Sequence, residues 1–226
     1  MPEVCPKKAE DLPIIPCGAK MTAYKIRGVL SGMNAYDFDK TIYPGDSATH
    51  FWLFCLRRRL GTITSAFRAL VPLSKGLTGR LSRGDVKQAL YSCLSSVPDA
   101  RAEAAAFWDT HIDRIYPWYL DRKREDDLII SASPEFLIEE ACRRLGVRYI
   151  ATPMDIRTGR ILGENCRGEE KVRRFREEYG EETVEEFYSD SFADRPMMEL
   201  AERGYLVKNG AVVRLVEKTE GGGTSE

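Results

Sequence analysis

An α/β fold is predicted here: a parallel sheet covered by helices on both faces and interrupted by a helical insertion. Three observations carry that expectation. Strand-like and helix-like stretches alternate from Asp127 to Val216. An earlier stretch, Ala35-Tyr36-Asp37-Phe38-Asp39-Lys40-Thr41-Ile42-Tyr43, is built of residues a strand favours but is broken by two carboxylates. Between these lie about 80 residues without convincing strand alternation, too many for a loop in a compact domain.

The elements follow in order. Residues 1–32 carry Pro2, Pro6, Pro13 and Pro16 and read as a flexible leader, with Met33 an alternative start. In the first strand a period of two points Asp37 and Asp39 to one face. In a buried sheet that pairing is costly unless a cation or a proton lies between them. At the carboxyl edge of an open α/β sheet, where ligands bind, both acids can reach one metal and one substrate. Pro44-Gly45-Asp46-Ser47 then makes a turn with helix-capping candidates.

Residues 46–124 form the inserted helical subdomain. Phe51–Leu56 runs on into Arg57–Arg59 with Gly61 as breaker, Thr64–Leu73 is amphipathic, Ser82–Asp85 starts another helix, and Arg101–Leu120 is apolar at helical spacing. Asp127–Ala132 is a strand. Ser133 can cap and Pro134 can open a helix at Glu135–Leu145, which Gly146 ends. A strand at Val147–Ala151 follows, then a hairpin of Met154–Arg157 and Arg160–Leu162 around Thr158-Gly159. Glu169–Tyr179 is helical, Glu185–Asp190 a strand, and Pro196–Arg203 a helix closed by Gly204. Asn209-Gly210 turns a hairpin between Tyr205–Val207 and Ala211–Val216. Residues 33–45 and 125–217 thus form the α/β core, and 218–226 an unstructured tail.

Composition narrows the function classes. Hydrophobic residues make up 43% of the 226, enough for a substantial core, and charged residues 31%. A net charge of −1 gives the whole molecule no bulk attraction to nucleic acid. Six cysteines without a Cys-x-x-Cys pair argue against zinc or redox motifs and fit reduced thiols in a cytosol. The chain shows no apolar run long enough for a signal peptide or a membrane span. A soluble, cytoplasmic protein is expected.

Four polar features fall at strand ends or helix starts: Asp37, Asp39 and Thr41; Ser131; Lys171; and Asp190 with Asp194. In that order, and in the contexts Ser131-Ala132-Ser133-Pro134-Glu135-Phe136 and Tyr188-Ser189-Asp190-Ser191, the chain resembles the haloacid dehalogenase superfamily, most closely its phosphoserine-phosphatase-like branch. The resemblance covers roughly residues 34–216 and implies a Rossmann-like core with a helical cap. It also implies a phosphomonoesterase that uses Mg²⁺. Asp37 would attack phosphorus to form an aspartyl-phosphate, and Asp39 would serve as acid and then base. Asp37, Asp190 and the backbone carbonyl of Asp39 would ligate the metal, with Asp194 steadying its waters and the lysine. Thr41, Ser131 and Lys171 would stabilise the phosphoryl oxygens.

Each of these residues also has a plainer role. Ser131 can cap a helix, Lys171 can be a solvated surface residue, Asp190 and Asp194 can be helix-start acids, and Thr41 can be strand filler. The ordered set is what favours chemistry. Asp39-Lys40-Thr41 also resembles the start of the cation-pump phosphorylation motif, but that motif wants a threonine where Tyr43 stands, so Asp37 is the better nucleophile. His50 and His111 have no partner that suggests a triad and are assigned to structure.

Between Phe51 and Leu90 eight basic residues face one acid, Asp85. That excess suits a solvated face, an acidic substrate or, with Phe51, Trp52, Phe54, Phe67 and Leu70, an anionic membrane surface. Asp46 follows shortly after the first motif, where phosphoserine phosphatases carry an acid that recognises the substrate amine, but its Gly45-Asp46-Ser47 setting does not specify phosphoserine. A small soluble phosphomonoester is the first expectation and a lipid phosphate the second. A phosphotransferase and a non-catalytic phosphate-binding module are the competing classes. The oligomeric state is not specified.

Overall fold

The computed structural model describes residues 32–58 and 97–216. The expected leader, the helices at Thr64–Leu73 and from Ser82, most of the basic segment and the tail lie outside the described residues. A six-stranded sheet runs in the order β3-β2-β1-β6-β7-β8. Its strands are β1 (Met33–Tyr36), β2 (Leu128–Pro134), β3 (Arg148–Thr152), β6 (Val184–Ser189), β7 (Arg203–Lys208) and β8 (Ala211–Val216). All neighbours pair in parallel except β7 and β8, which form an antiparallel hairpin. A separate two-stranded hairpin, β4 (Met154–Asp155) with β5 (Arg160–Ile161), follows β3.

Parallel strands covered on both faces bury alternate residues on opposite sides, and the described residues do so. Tyr36, Ile129, Ala151, Tyr188 and Val207 belong to one apolar cluster. Met33, Ala35, Leu128, Ile130, Ile150, Phe187 and Leu206 belong to the other. The first cluster includes Phe51 and Cys55 of α1 (Ser47–Arg58), Phe107 and Trp108 of α2 (Ala100–His111), Tyr119 of α3 (Pro117–Leu120), and Phe136 and Leu137 of α4 (Glu135–Leu145). The second takes Phe175 of α5 (Glu169–Tyr179) and Met197 and Met198 of α6 (Arg195–Leu200). The described ends of the expected insertion, α1 and α2, therefore pack on one face of the sheet. Phe51 meets Phe107 and Phe136 edge-on at 5.7 and 5.6 Å, and the Trp108 indole donates to the Leu137 carbonyl.

Register across the middle of the sheet aligns three tyrosines. Tyr36 pairs with Tyr188 and Tyr188 with Tyr205, and their rings stack at 5.0 and 4.8 Å. Because β2 lies on one side of β1 and β6 on the other, strand order reverses at β1. Ligands gather at such a reversal, outside the carboxyl ends of the strands, and Asp37 is the first residue beyond β1.

Three local expectations are corrected. Ser133 does not cap α4: β2 continues to Pro134, the residue before the helix, and the Ser133 hydroxyl is used elsewhere. The apolar stretch Arg101–Leu120 is not one helix, for a 3₁₀ turn at Ile112–Arg114 and Pro117 divide it. Gly204 does not close a helix; it pairs within β7 with Phe187 and Val216. A Cβ there would lie 2.5 Å from the Met198 Cβ and 3.0 Å from its Cα, so glycine lets α6 lie directly on β7. Gly204→Ala is expected to destabilise the protein by about 1–3 kcal/mol through this overlap. Urea denaturation checks it, and an unchanged midpoint would show that α6 can shift freely. At the last hairpin, Asn209 and Gly210 both have positive φ, 50° and 74°, as a type I′ turn requires.

Candidate active site

The chain leaves β1 at Tyr36 and folds back within a few residues. Lys40 takes a left-handed φ of 61°, and its N–H donates to the carbonyls of Tyr43 and Gly45. This compact turn buries Phe38, Ile42 and Tyr43 and directs Asp37 and Asp39 into one cavity of about 350 Å³. Lys171, Asp190 and Asp194 line the same cavity.

At its floor Lys171, 1% exposed, donates from Nζ to Asp37 Oδ1 at 2.6 Å and to Asp194 Oδ2 at 2.8 Å. Lys171 sits in the first turn of α5, which Gly168 precedes at φ 60°. A Cβ on Gly168 would stand 3.1 Å from the Ala193 carbonyl, so glycine permits the close approach of the Ser189–Asp194 loop. The Gly168 N–H donates to Asp194 Oδ1, and the Ser189 hydroxyl donates to Asp194 Oδ2. Asp194 is thus fully occupied in holding the lysine and the two loops together.

Thr41 is completely buried. Its hydroxyl donates to Asp37 Oδ2 at 3.1 Å and accepts from the Asp190 N–H at 2.9 Å. Both oxygens of Asp37 therefore have donors, and Thr41 ties the β1 turn to the β6 turn. Such bonds suit a positioning residue. Asp190 is half-buried and its carbonyl accepts from Lys208 Nζ, while no hydrogen bond to its carboxylate is found among the described residues. Ser131 is 1% exposed, and its oxygen accepts from the Ser133 N–H, leaving the hydroxyl proton to donate.

Asp39 is held differently. Its Oδ1 accepts from the Ser47 N–H at 2.8 Å at the start of α1, and its Oδ2 accepts from the Ser133 hydroxyl at 2.5 Å. Asp46 caps that helix by accepting from the Thr49 N–H. Ser47, Ser133 and Ser189 support the acids, a role for which the sequence does not single them out. Residue type carried no signal for them, because Ser133 meets Asp39 across 94 positions.

The electrostatics follow from this crowding. Burial pushes the Asp37 carboxyl up to about 7; the Lys171 ammonium pulls against it, and the charges on Asp194 and Asp39 add to the rise. Burial and the nearby Asp46 raise Asp39, against the Ser133 and Ser47 donors. Burial also raises Asp190, with Lys40 and Lys208 opposing. For Lys171 burial works downward, but the Asp37 and Asp194 carboxylates reverse it and hold the ammonium charged. Burial would raise Asp194, yet Lys171, Gly168 and Ser189 hold it below the ordinary carboxylate range.

The carboxylates of the cavity outnumber its cations, an imbalance that a divalent cation would relieve. Among the described residues no three His, Cys, Asp or Glu side chains gather as a metal cage. A hard ion such as Mg²⁺ does not need one, since it takes one or two carboxylates and keeps several waters. Asp37 and Asp190, which line the same cavity, would offer carboxylate oxygens of that kind. His50 pairs with the Tyr43 hydroxyl, and His111 stacks on Phe107; neither lines this cavity.

Comparison with known proteins agrees with this frame. The model of the haloacid dehalogenase-like hydrolases matches residues 35–199. The chain is 31% identical over 191 residues to protein CicA of Caulobacter vibrioides, covering 78% of this chain and 86% of that one. A protein of unknown function from Bordetella pertussis Tohama I has the same fold, with a TM-score of 0.63 and 24% identity over 77% of this chain and 88% of the other. A HAD-family hydrolase from Salmonella enterica serovar Typhi aligns at a TM-score of 0.53 and 19% identity, over 75% of this chain and 60% of its own. Among the described residues no helix is long and apolar enough to cross a membrane.

Proposed function

Because this chain belongs to the haloacid dehalogenase-like hydrolases, we propose that it is a Mg²⁺-dependent phosphatase that hydrolyses a small phosphomonoester through an aspartyl-phosphate on Asp37. One observation carries this reading most directly: Lys171 reaches Asp37 across 134 positions and Asp194 across 23, so that residues scattered along the chain converge at one sheet edge. A structural salt bridge would not need Asp190 and Asp39 turned into the same cavity.

Asp37 Oδ attacks phosphorus, the bond to the leaving oxygen breaks, and Asp39 gives that oxygen its proton. Asp39 then takes a proton from water, whose oxygen attacks phosphorus and frees Asp37 and inorganic phosphate. Its raised pKa suits the first half of that cycle, in which Asp39 must hold a proton. Ser133 and Ser47 keep the same carboxyl aimed. Lys171, which lines the cavity, and the Ser131 hydroxyl, next in sequence to the lining residue Ala132, would stabilise the equatorial phosphoryl oxygens, where charge spreads in the transition state. Thr41 and Asp194 position Asp37 and Lys171. Asp37, Asp190 and the Asp39 carbonyl would hold Mg²⁺, which when bound would supply the positive charge that lets a carboxylate approach a phosphate dianion.

Incubation with p-nitrophenyl phosphate and Mg²⁺, followed by a panel of phosphorylated metabolites and a lysophospholipid phosphate, tests the reading. Absence of hydrolysis across the panel would sink it and favour a phosphate-binding module. Ser133→Ala is expected to lower kcat about tenfold or more, since the hydrogen bond that aims the proton donor is lost. A pH profile that moves together with kcat would tie the loss to Asp39.

A further inference from the structure

Beside the lysine at the floor, two further cations line the cavity: Lys40, whose charge acts on Asp190, and Arg167, for which the proposed chemistry has no use. Arg167 lines the cavity with Asp37 and Lys171, yet it is exposed where Lys171 is buried. Among the described residues its guanidinium has neither a hydrogen bond nor an ion pair. The arginines that follow it in α5 behave otherwise: Arg173 and Arg174 both pair with Glu170, and Arg176 pairs with Glu181.

The backbone beneath Arg167 is pinned. Its N–H donates to the Asn165 carbonyl, and its own carbonyl accepts from the Glu170 N–H. The preceding N–H, of Cys166, donates to the Thr152 hydroxyl, which shares its proton between Asn165 Oδ1 and the Ala132 carbonyl. With Oδ1 engaged, Asn165, which also lines the cavity, keeps its Nδ2 donors. An unpaired fork of donors on a fixed loop, outward of the phosphoryl position, is suited to bidentate capture of an anion.

Resting on the phosphatase reading, we propose that Arg167 is a specificity residue that binds a second anionic group, a carboxylate or a second phosphoryl group, on the leaving portion of the substrate. Lys171 and Arg167 then divide the work by depth, the first on the phosphoryl oxygens and the second on the leaving portion.

Calorimetric titration with non-hydrolysable anions tests this without turnover. Methylphosphonate carries one anionic group; phosphonoacetate adds a carboxylate and methylenediphosphonate a second phosphoryl group. In Mg²⁺ buffer the wild type is expected to bind one of the two bifunctional anions about 10- to 100-fold tighter than methylphosphonate, and which one identifies the group read. Arg167→Ala should erase that preference while leaving the methylphosphonate Kd within about twofold. Equal weakening of all three ligands would make Arg167 a phosphate clamp and overturn the proposal. So would a wild type without preference, or a variant that keeps it. Hydrolysis of p-nitrophenyl phosphate is scored separately. A protein that shows the binding pattern but no turnover loses the phosphatase reading and keeps Arg167, and active protein without the pattern does the reverse.

Discussion

Asp37→Asn is expected to leave a folded protein whose turnover of p-nitrophenyl phosphate falls on the order of 10⁴-fold or more, the scale on which loss of a nucleophile is felt. An amide has nearly the shape of the carboxylate, so Thr41 can still donate to the side-chain oxygen and Lys171 keeps Asp194. The desolvation that raises the Asp37 carboxyl disappears with the charge, and folding stability is expected to hold or rise. That combination separates chemistry from collapse. Activity and a urea titration on the same preparation measure it. Turnover within tenfold of wild type would remove Asp37 from the nucleophile role, whereas loss of activity with loss of folding would show that the carboxylate mainly holds the structure.

Lys171→Met is expected to have the opposite balance, costing about 3–5 kcal/mol of stability along with activity. Methionine fills much of the lysine's path but removes the charge that compensates two buried carboxylates, Asp37 at 2.6 Å and Asp194 at 2.8 Å. Both acids would then have to protonate or draw in water. The damage should reach beyond the pair, because Asp194 also holds Gly168 and Ser189. The double variant Lys171→Met with Asp37→Asn should recover part of the loss, since one stranded charge is gone. Denaturant midpoints of the single and double variants give the coupling directly. Strict additivity of the two would refute the ion-pair account.

These two substitutions act at one contact and are expected to differ in their effect on stability. Burial works against the Asp37 charge, and the Lys171 charge is what makes that burial tolerable. The same contrast explains how much of the site was legible in the sequence. Acids at i and i+2 on a strand of aromatic and aliphatic residues are expensive anywhere except a ligand-binding edge, so Asp37 and Asp39 announced themselves. Lys171 did not. In Gly168-Glu169-Glu170-Lys171 it reads as one more charged residue on a solvated helix, and only its place in an ordered set of motifs raised it above that. Its near-complete burial is a property of the packed chain.

Ser133 makes the point from the other side. Ser-Pro-Glu before an apolar helix is a fair local signal for a cap, and Pro134 does stand just ahead of α4. The β2 strand runs two residues further than its apolar run suggests, and the hydroxyl goes to Asp39 instead. Gly204 was read as a helix stop because glycine often is one. The reason it is glycine is the Met198 backbone, which a Cβ at 204 would approach to 3.0 Å, a packing contact that local sequence does not reveal.

Taken alone, the sequence determined the α/β alternation, the positions of α4 and α5 and the final hairpin, and it marked acids that line one cavity, because periodicity, turn chemistry and the cost of burying charge are local. Tertiary structure decided which oxygens share a proton, which cation is buried and which stays open to a ligand. Those outcomes depend on distances between residues up to 149 positions apart, and no local preference encodes such a distance.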